Sequence, residues 1–147
     1  MAFHLSHVPM RLSTGALILD SGLNKRGADE ATARGIHGMA AGAYPFLAGM
    51  DPQDFVRQLS RAEVVLGVAL LVPFIPTPLV ALALTLFSGG LMGLYLRTPG
   101  LTQENSIRPT QDGLGIAKDA WMLGIGLGLL LESLTPSGPR RVRASAA

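Results

Sequence analysis

The chain has 147 residues, 48% of them hydrophobic and only 15% charged, with a formal net charge of +2 and no cysteine. Soluble domains carry roughly 25% charged residues, and the few cations here come without an aromatic–basic surface, which argues against a nucleic-acid binder. The lack of cysteine excludes disulfides, thiolate nucleophiles and Cys-ligated iron–sulfur clusters within the chain.

The first apolar segment runs from about residue 8 to 23 and carries Arg11 and Asp20. No basic stretch precedes it, and Ser21-Gly22-Leu23-Asn24-Lys25 is not a small-x-small cleavage site, so the segment is expected to be retained. A polar stretch over 24–34, with Lys25, Arg26, Asp29 and Glu30, reads as a solvated loop. Residues 35–50 are rich in Gly and Ala, contain His37 and are broken at Tyr44-Pro45. Too short for a span, this stretch is expected to lie at the interface or to re-enter the membrane. Asp51-Pro52 then supplies an N-cap and a first-turn proline for the next helix.

The second segment covers about 56–72, with Arg57, Arg61 and Glu63 in its first two turns. From Val64 to Leu96, thirty-three residues pass without a charged side chain. Roughly 20 apolar residues cross a bilayer as a helix, and Pro73, Pro76 and Pro78 cannot lie inside one. The run therefore predicts a membrane hairpin turning at 73–78, with its second arm over 79–96. A second polar loop, 98–112, leads to the fourth segment, 114–134. That segment holds Lys118 and Asp119 in its first third, Trp121 just behind them and Glu132 near its end. Trp121 is expected to mark the interface or to line an acidic pocket. Beyond Pro136 the basic tail, 136–147, with Arg140, Arg141 and Arg143, is expected to be disordered.

The expected fold is all-α: one domain over residues 1–135, built as a four-span transmembrane helical bundle with an interfacial or re-entrant segment between helices 1 and 2. Its expected place is the cell membrane, as a multi-pass protein in contact with the lipid bilayer. Gly15 and Gly22, Gly89 and Gly93, and Gly124 and Gly128 have the spacing of close helix contacts. They are expected to be packing faces within the bundle, with a homo-oligomer through Gly faces as the alternative. Five basic residues in the polar loops against three in the tail leave the orientation open.

Ionisable groups at membrane depth cost at least ~2.5–3.5 kcal/mol each on insertion scales, so they are expected to face the interior and pair. Arg11, Asp20, Glu63, Lys118 and Asp119 are the candidates. In a four-span order Asp20, Glu63, Lys118 and Asp119 fall on the side of the polar loops, where Lys25 also lies, while Arg11 starts on the opposite side. Glu63 is expected to meet Lys118. Surplus carboxylate there suits a proton-coupled or quinone-headgroup site. The reading favoured over this one is that the same charges are headgroup-level anchors, solvated and paired, that only fix helix depth. The residues require no cofactor. His4 and His7 share a helix face, but two ligands make no metal site, and His37 reads as an interface anchor. No nucleophile–base pair, phosphate loop or zinc signature occurs.

Three motifs in order resemble the DoxX family of small four-helix integral membrane proteins. Arg11-Leu12-x-x-Gly15 followed by Ser21-Gly22-Leu23-Asn24-Lys25 is similar to the family's opening helix with its terminal G-x-x-K. Ala62-Glu63-Val64-Val65-Leu66-Gly67 resembles its acidic second helix, and Lys118-Asp119-Ala120-Trp121 the start of its last. The resemblance covers about residues 10–134. It implies a four-span bundle acting as an accessory or scaffold subunit of a membrane redox assembly, with a soluble or membrane oxidoreductase as partner. A quinone-interacting oxidoreductase component and a small proton-coupled transporter are the alternatives. The turn Pro73–Pro78 and the long stretch Asn24–Asp54 depart from the family pattern, and no thiosulfate or quinone chemistry carries over residue by residue.

Overall fold

A computed structural model describes residues 5–135 of the chain; His4 and the tail 136–147 lie outside the described residues. Among the described residues the protein is all helical, with one isolated bridge between Thr102 and Pro109 and no strand. The helices are α1 (His7–Lys25), α2 (Glu30–Ala43), α3 (Pro52–Leu71), α4 (Thr77–Arg97), α5 (Leu114–Ala117) and α6 (Ala120–Leu134).

Local chemistry sets the boundaries. Asp29 caps α2, its carboxylate accepting from Thr32 N at 2.8 Å. Asp51 caps α3, accepting from the amides of Gln53 and Asp54, and Pro52 occupies the first helical position. Pro73 and Pro76 hold the chain out of helix between α3 and α4. At Lys118–Asp119 the last helix tightens: Asp119 N donates to Ile116 O and Trp121 N to Lys118 O, each three residues back. This short 3-10 step separates α5 from α6.

Sequence and structure part company at α2. Residues 30–43 form a helix, so the stretch expected as a solvated loop over 24–34 is already helical from Glu30. A 3-10 turn, Pro45–Leu47, follows it. The four longer segments start and stop within a few residues of the expected positions, but among the described residues only two stretches, Thr77–Arg97 and Leu114–Leu134, are long and apolar enough to cross a membrane by length and composition. α3 carries Asp54, Arg57, Arg61 and Glu63 and does not qualify.

α1 packs along α3 and α6 along α4, while lighter contacts of α3 with α4 and of α1 with α6 join the two pairs. The α1–α3 seam is made by glycines. A Cβ at Gly67 would stand 2.7 Å from Leu19 N, and one at Gly22 would stand 2.9 Å from Glu63 Cβ and Val64 N. Ser60 Oγ donates across the seam to Gly22 O at 2.7 Å. Between α4 and α6 the contact glycine is Gly126, where a Cβ would meet Thr85 Oγ1 at 2.7 Å. Gly124 and Gly128, expected to pack within the bundle, have open space above them. Two residues along a helix is a rotation of about 200°, so a face built on Gly126 turns both away.

Two apolar clusters fill the interior. One gathers Ile18, Leu66, Leu70, Val80, Leu84 and Met122. The other lies under α2 and gathers Ala40, Ala43, Leu94, Tyr95 and Leu101, with Phe55, Ile116 and Ala117 packed against it.

Candidate functional site

On α3 the first cluster takes Leu66 and Leu70 and the second takes Phe55; Ser60 and Glu63 lie between. On the last helical stretch Met122 belongs to the first cluster and Ile116 and Ala117 to the second, with Asp119 between them. The polar residues form a layer separating two apolar regions, and α1 delivers Lys25 into it at its last residue.

The Lys25 ammonium bridges both carboxylate oxygens of Glu63, at 3.0 Å from Oε1 and 2.9 Å from Oε2. Its third donor goes to Ser21 Oγ at 2.6 Å, one turn back on α1. All three ammonium hydrogens are therefore used. The Glu63 side chain is 5% exposed and that of Lys25 21%, so the carboxylate is sealed and the ammonium reaches the surface. A buried charge is tolerable when paired and hydrogen-bonded in this way. Asp119, half-buried, lies within electrostatic reach of both Glu63 and Lys25. Two carboxylates thus face one ammonium.

The expected partner of Glu63 was Lys118, and the structure corrects this. Lys118 is exposed and Lys25 holds Glu63. Lys118 and Asp119 are neighbours about 120° apart across the 3-10 step, so turning Asp119 inward turns Lys118 out. Asp20 is exposed and accepts from Asn24 Nδ2 at 3.0 Å; it does not join the layer. Trp121 is 75% exposed.

Arg11 sits at the other end of α3 as a cap. Its Nε donates to Leu70 O at 2.9 Å, Nη2 to Ala69 O and Val72 O, and Nη1 to Ile75 O and Thr77 Oγ1. These carbonyls belong to the end of α3 and the turn after it, where backbone acceptors lack helical donors and the helix dipole favours a cation. Close by on α1, His7 Nε2 stands 2.9 Å from Glu132 Oε2. His37 is held by Leu47 O at 2.9 Å and by an edge contact with Phe55.

Ser21 and Ser60 were not singled out in the sequence, although each lies one turn from its charged neighbour, four residues before Lys25 and three before Glu63. Two open clefts meet at Lys25. One, of about 540 Å³, runs between the end of α1 and the start of α2 past Ser21, Asn24 and Asp29. The other, of about 270 Å³, runs between the end of α1 and the first half of α3 past Arg26, Gln53, Arg57 and Arg61. Among the described residues no group of three or more His, Cys, Asp or Glu is placed to hold a metal ion. Comparison with family models, with curated proteins and with solved structures returns no match to this chain.

Proposed function

We propose that the chain is a multi-pass membrane protein of DoxX type, a four-span helical bundle serving as an accessory or scaffold subunit of a membrane redox assembly. One observation carries the membrane part of this reading: besides an apolar core, the bundle buries charged and hydroxyl side chains while large apolar ones cover much of its outer surface. Arg11, Thr14, Ser60, Glu63 and Ser88 are buried, while Leu17, Val65, Leu82, Leu86, Leu127 and Leu131 point outward. Polar groups collect inside when the surroundings are apolar. The hydroxyls of Thr85, Ser88 and Ser133 donate to carbonyls on their own helices, so they ask nothing of their surroundings. The helical stretches of 19, 20, 21 and 21 residues are about 28–32 Å long, close to the hydrocarbon thickness. The buried pair on α1 and α3 would let those two helices cross beside the more apolar α4 and α6.

The lack of native cysteine makes the topology directly testable. Single cysteines at Gly27, Phe74 and Ile107 report the three connections by labelling with an impermeant thiol reagent in sealed vesicles. Four spans place Gly27 and Ile107 on one side and Phe74 on the other. Labelling of Gly27 together with Phe74 would put both ends of α3 on one side and would sink the four-span reading.

The surplus carboxylate in the polar layer favours a second reading, a quinone headgroup or a mobile proton held at Lys25, Glu63 and Asp119. Mild-detergent purification with identification of co-purifying molecules separates the two. A stoichiometric oxidoreductase supports the scaffold. A quinone lost on Glu63→Gln supports the second reading, and finding neither sinks both redox roles.

A further inference from the structure

The smaller cleft beside the polar layer holds more positive charge than the fold uses. Four cations line it: Lys25, Arg26, Arg57 and Arg61. Lys25 is committed to Glu63. Arg57 makes a pair at 3.2 Å with Asp54, three residues away, with both side chains more than half exposed; such pairs are weak and readily exchanged. Arg26 and Arg61 form no ion pair or side-chain hydrogen bond with any described residue. Gln53 adds an amide at the same wall. The guanidiniums come from two helices and converge on one concavity, and a guanidinium offers the paired donors that a phosphate accepts. Repulsion among these cations is a cost that nothing in the folding of α1 against α3 requires.

The geometry points to a binding site for a phosphate-bearing anion in this cleft, the phosphate being that of an anionic phospholipid headgroup. This source rests on the membrane reading above: the cleft opens beside the ends of α1 and α3, and basic clefts between membrane helices hold anionic headgroups. Arg57 and Arg61 lie one turn apart on α3, directly before the outward-facing Val65 and Val68. A headgroup seated on the arginines would lay its acyl chains along those valines.

The test uses the full chain in nanodiscs. Incorporation into neutral phosphatidylcholine discs is scored first, and failure there counts against the membrane reading itself. With phosphatidylglycerol added to the discs, the thermal midpoint is expected to rise, and the lipid to remain bound by native mass spectrometry. Arg26→Gln/Arg61→Gln should keep the midpoint in neutral lipid and lose affinity for phosphatidylglycerol on the order of tenfold or more. Arg26→Lys/Arg61→Lys should restore much of it. Replacing Arg140, Arg141 and Arg143 of the tail with glutamine should leave the rise largely in place. Inorganic phosphate in neutral discs is expected to produce no rise; if it reproduces the rise, the anion site stands and its lipid source is overturned. A rise that survives in the Arg26→Gln/Arg61→Gln protein, vanishes with the tail variant, or fails with both anions overturns the site.

Discussion

The bond between Lys25 and Glu63 concentrates the polar chemistry of the molecule in a few atoms. Removing one member strands the other in a buried setting, for which about 3–5 kcal/mol is typical. Lys25→Met should therefore lower the stability of the detergent-solubilised protein by that order, whereas Lys25→Met/Glu63→Leu should recover a large part of the loss. Losses that simply add in the cycle would show that the two groups do not interact. Asp29 carries a different expectation. The amide and hydroxyl of Thr32 hold its carboxyl below the ordinary carboxylate range. A depressed acid stabilises the fold above its unfolded pKa, and that contribution disappears as pH falls through the folded value. Hydrogen-exchange protection of α2 should accordingly fall only as pH drops below about 3.8 and change less in Asp29→Asn, which keeps a capping oxygen without the titration. The sequence singled out Glu63 and Asp119, of which the structure buries the first and half-buries the second, because charges beside long apolar runs are few. It misassigned the partner because depth along a helix follows from counting residues, whereas rotation about its axis depends on the neighbours it packs against.

Between α1 and α3 the backbones approach so closely that side chains are excluded. Gly67→Ala or Gly22→Ala would place a methyl group against backbone atoms and should cost about 1–3 kcal/mol. Gly124→Ala meets open space and should be neutral or stabilising by up to about 1 kcal/mol. A melting series on the three variants checks the contrast, and equal effects would contradict the seam. Arg11→Met should loosen the turn between α3 and α4, seen as faster amide exchange over residues 72–77, because five hydrogen bonds reach it from one guanidinium. The proline turn, the Asp51 cap and the long charge-free run were legible because each depends on local residue chemistry. α2 was not, since its Gly- and Ala-rich face looks unstructured until α3 and α4 cover Ala40 and Ala43.

Across the whole molecule, outward leucines and an inward charge layer describe a protein matched to its solvent. Transferred among bilayers of different lipid chain length, the protein should melt highest where the hydrocarbon is near 30 Å thick and lower in thin short-chain lipid. A midpoint indifferent to thickness would count against helices that cross. Arg11 adds a constraint of another kind, one of time. Its acceptor Leu70 O lies 59 residues further along the chain. At roughly 5–20 residues per second, a ribosome needs on the order of 3–12 s to make that stretch. For those seconds α1 exists with its guanidinium and without the carbonyls that accept it, which on the membrane reading proposed above would cost about 2.5–3.5 kcal/mol on insertion. On the membrane reading proposed above, α1 would settle only after the proline turn arrives to receive it.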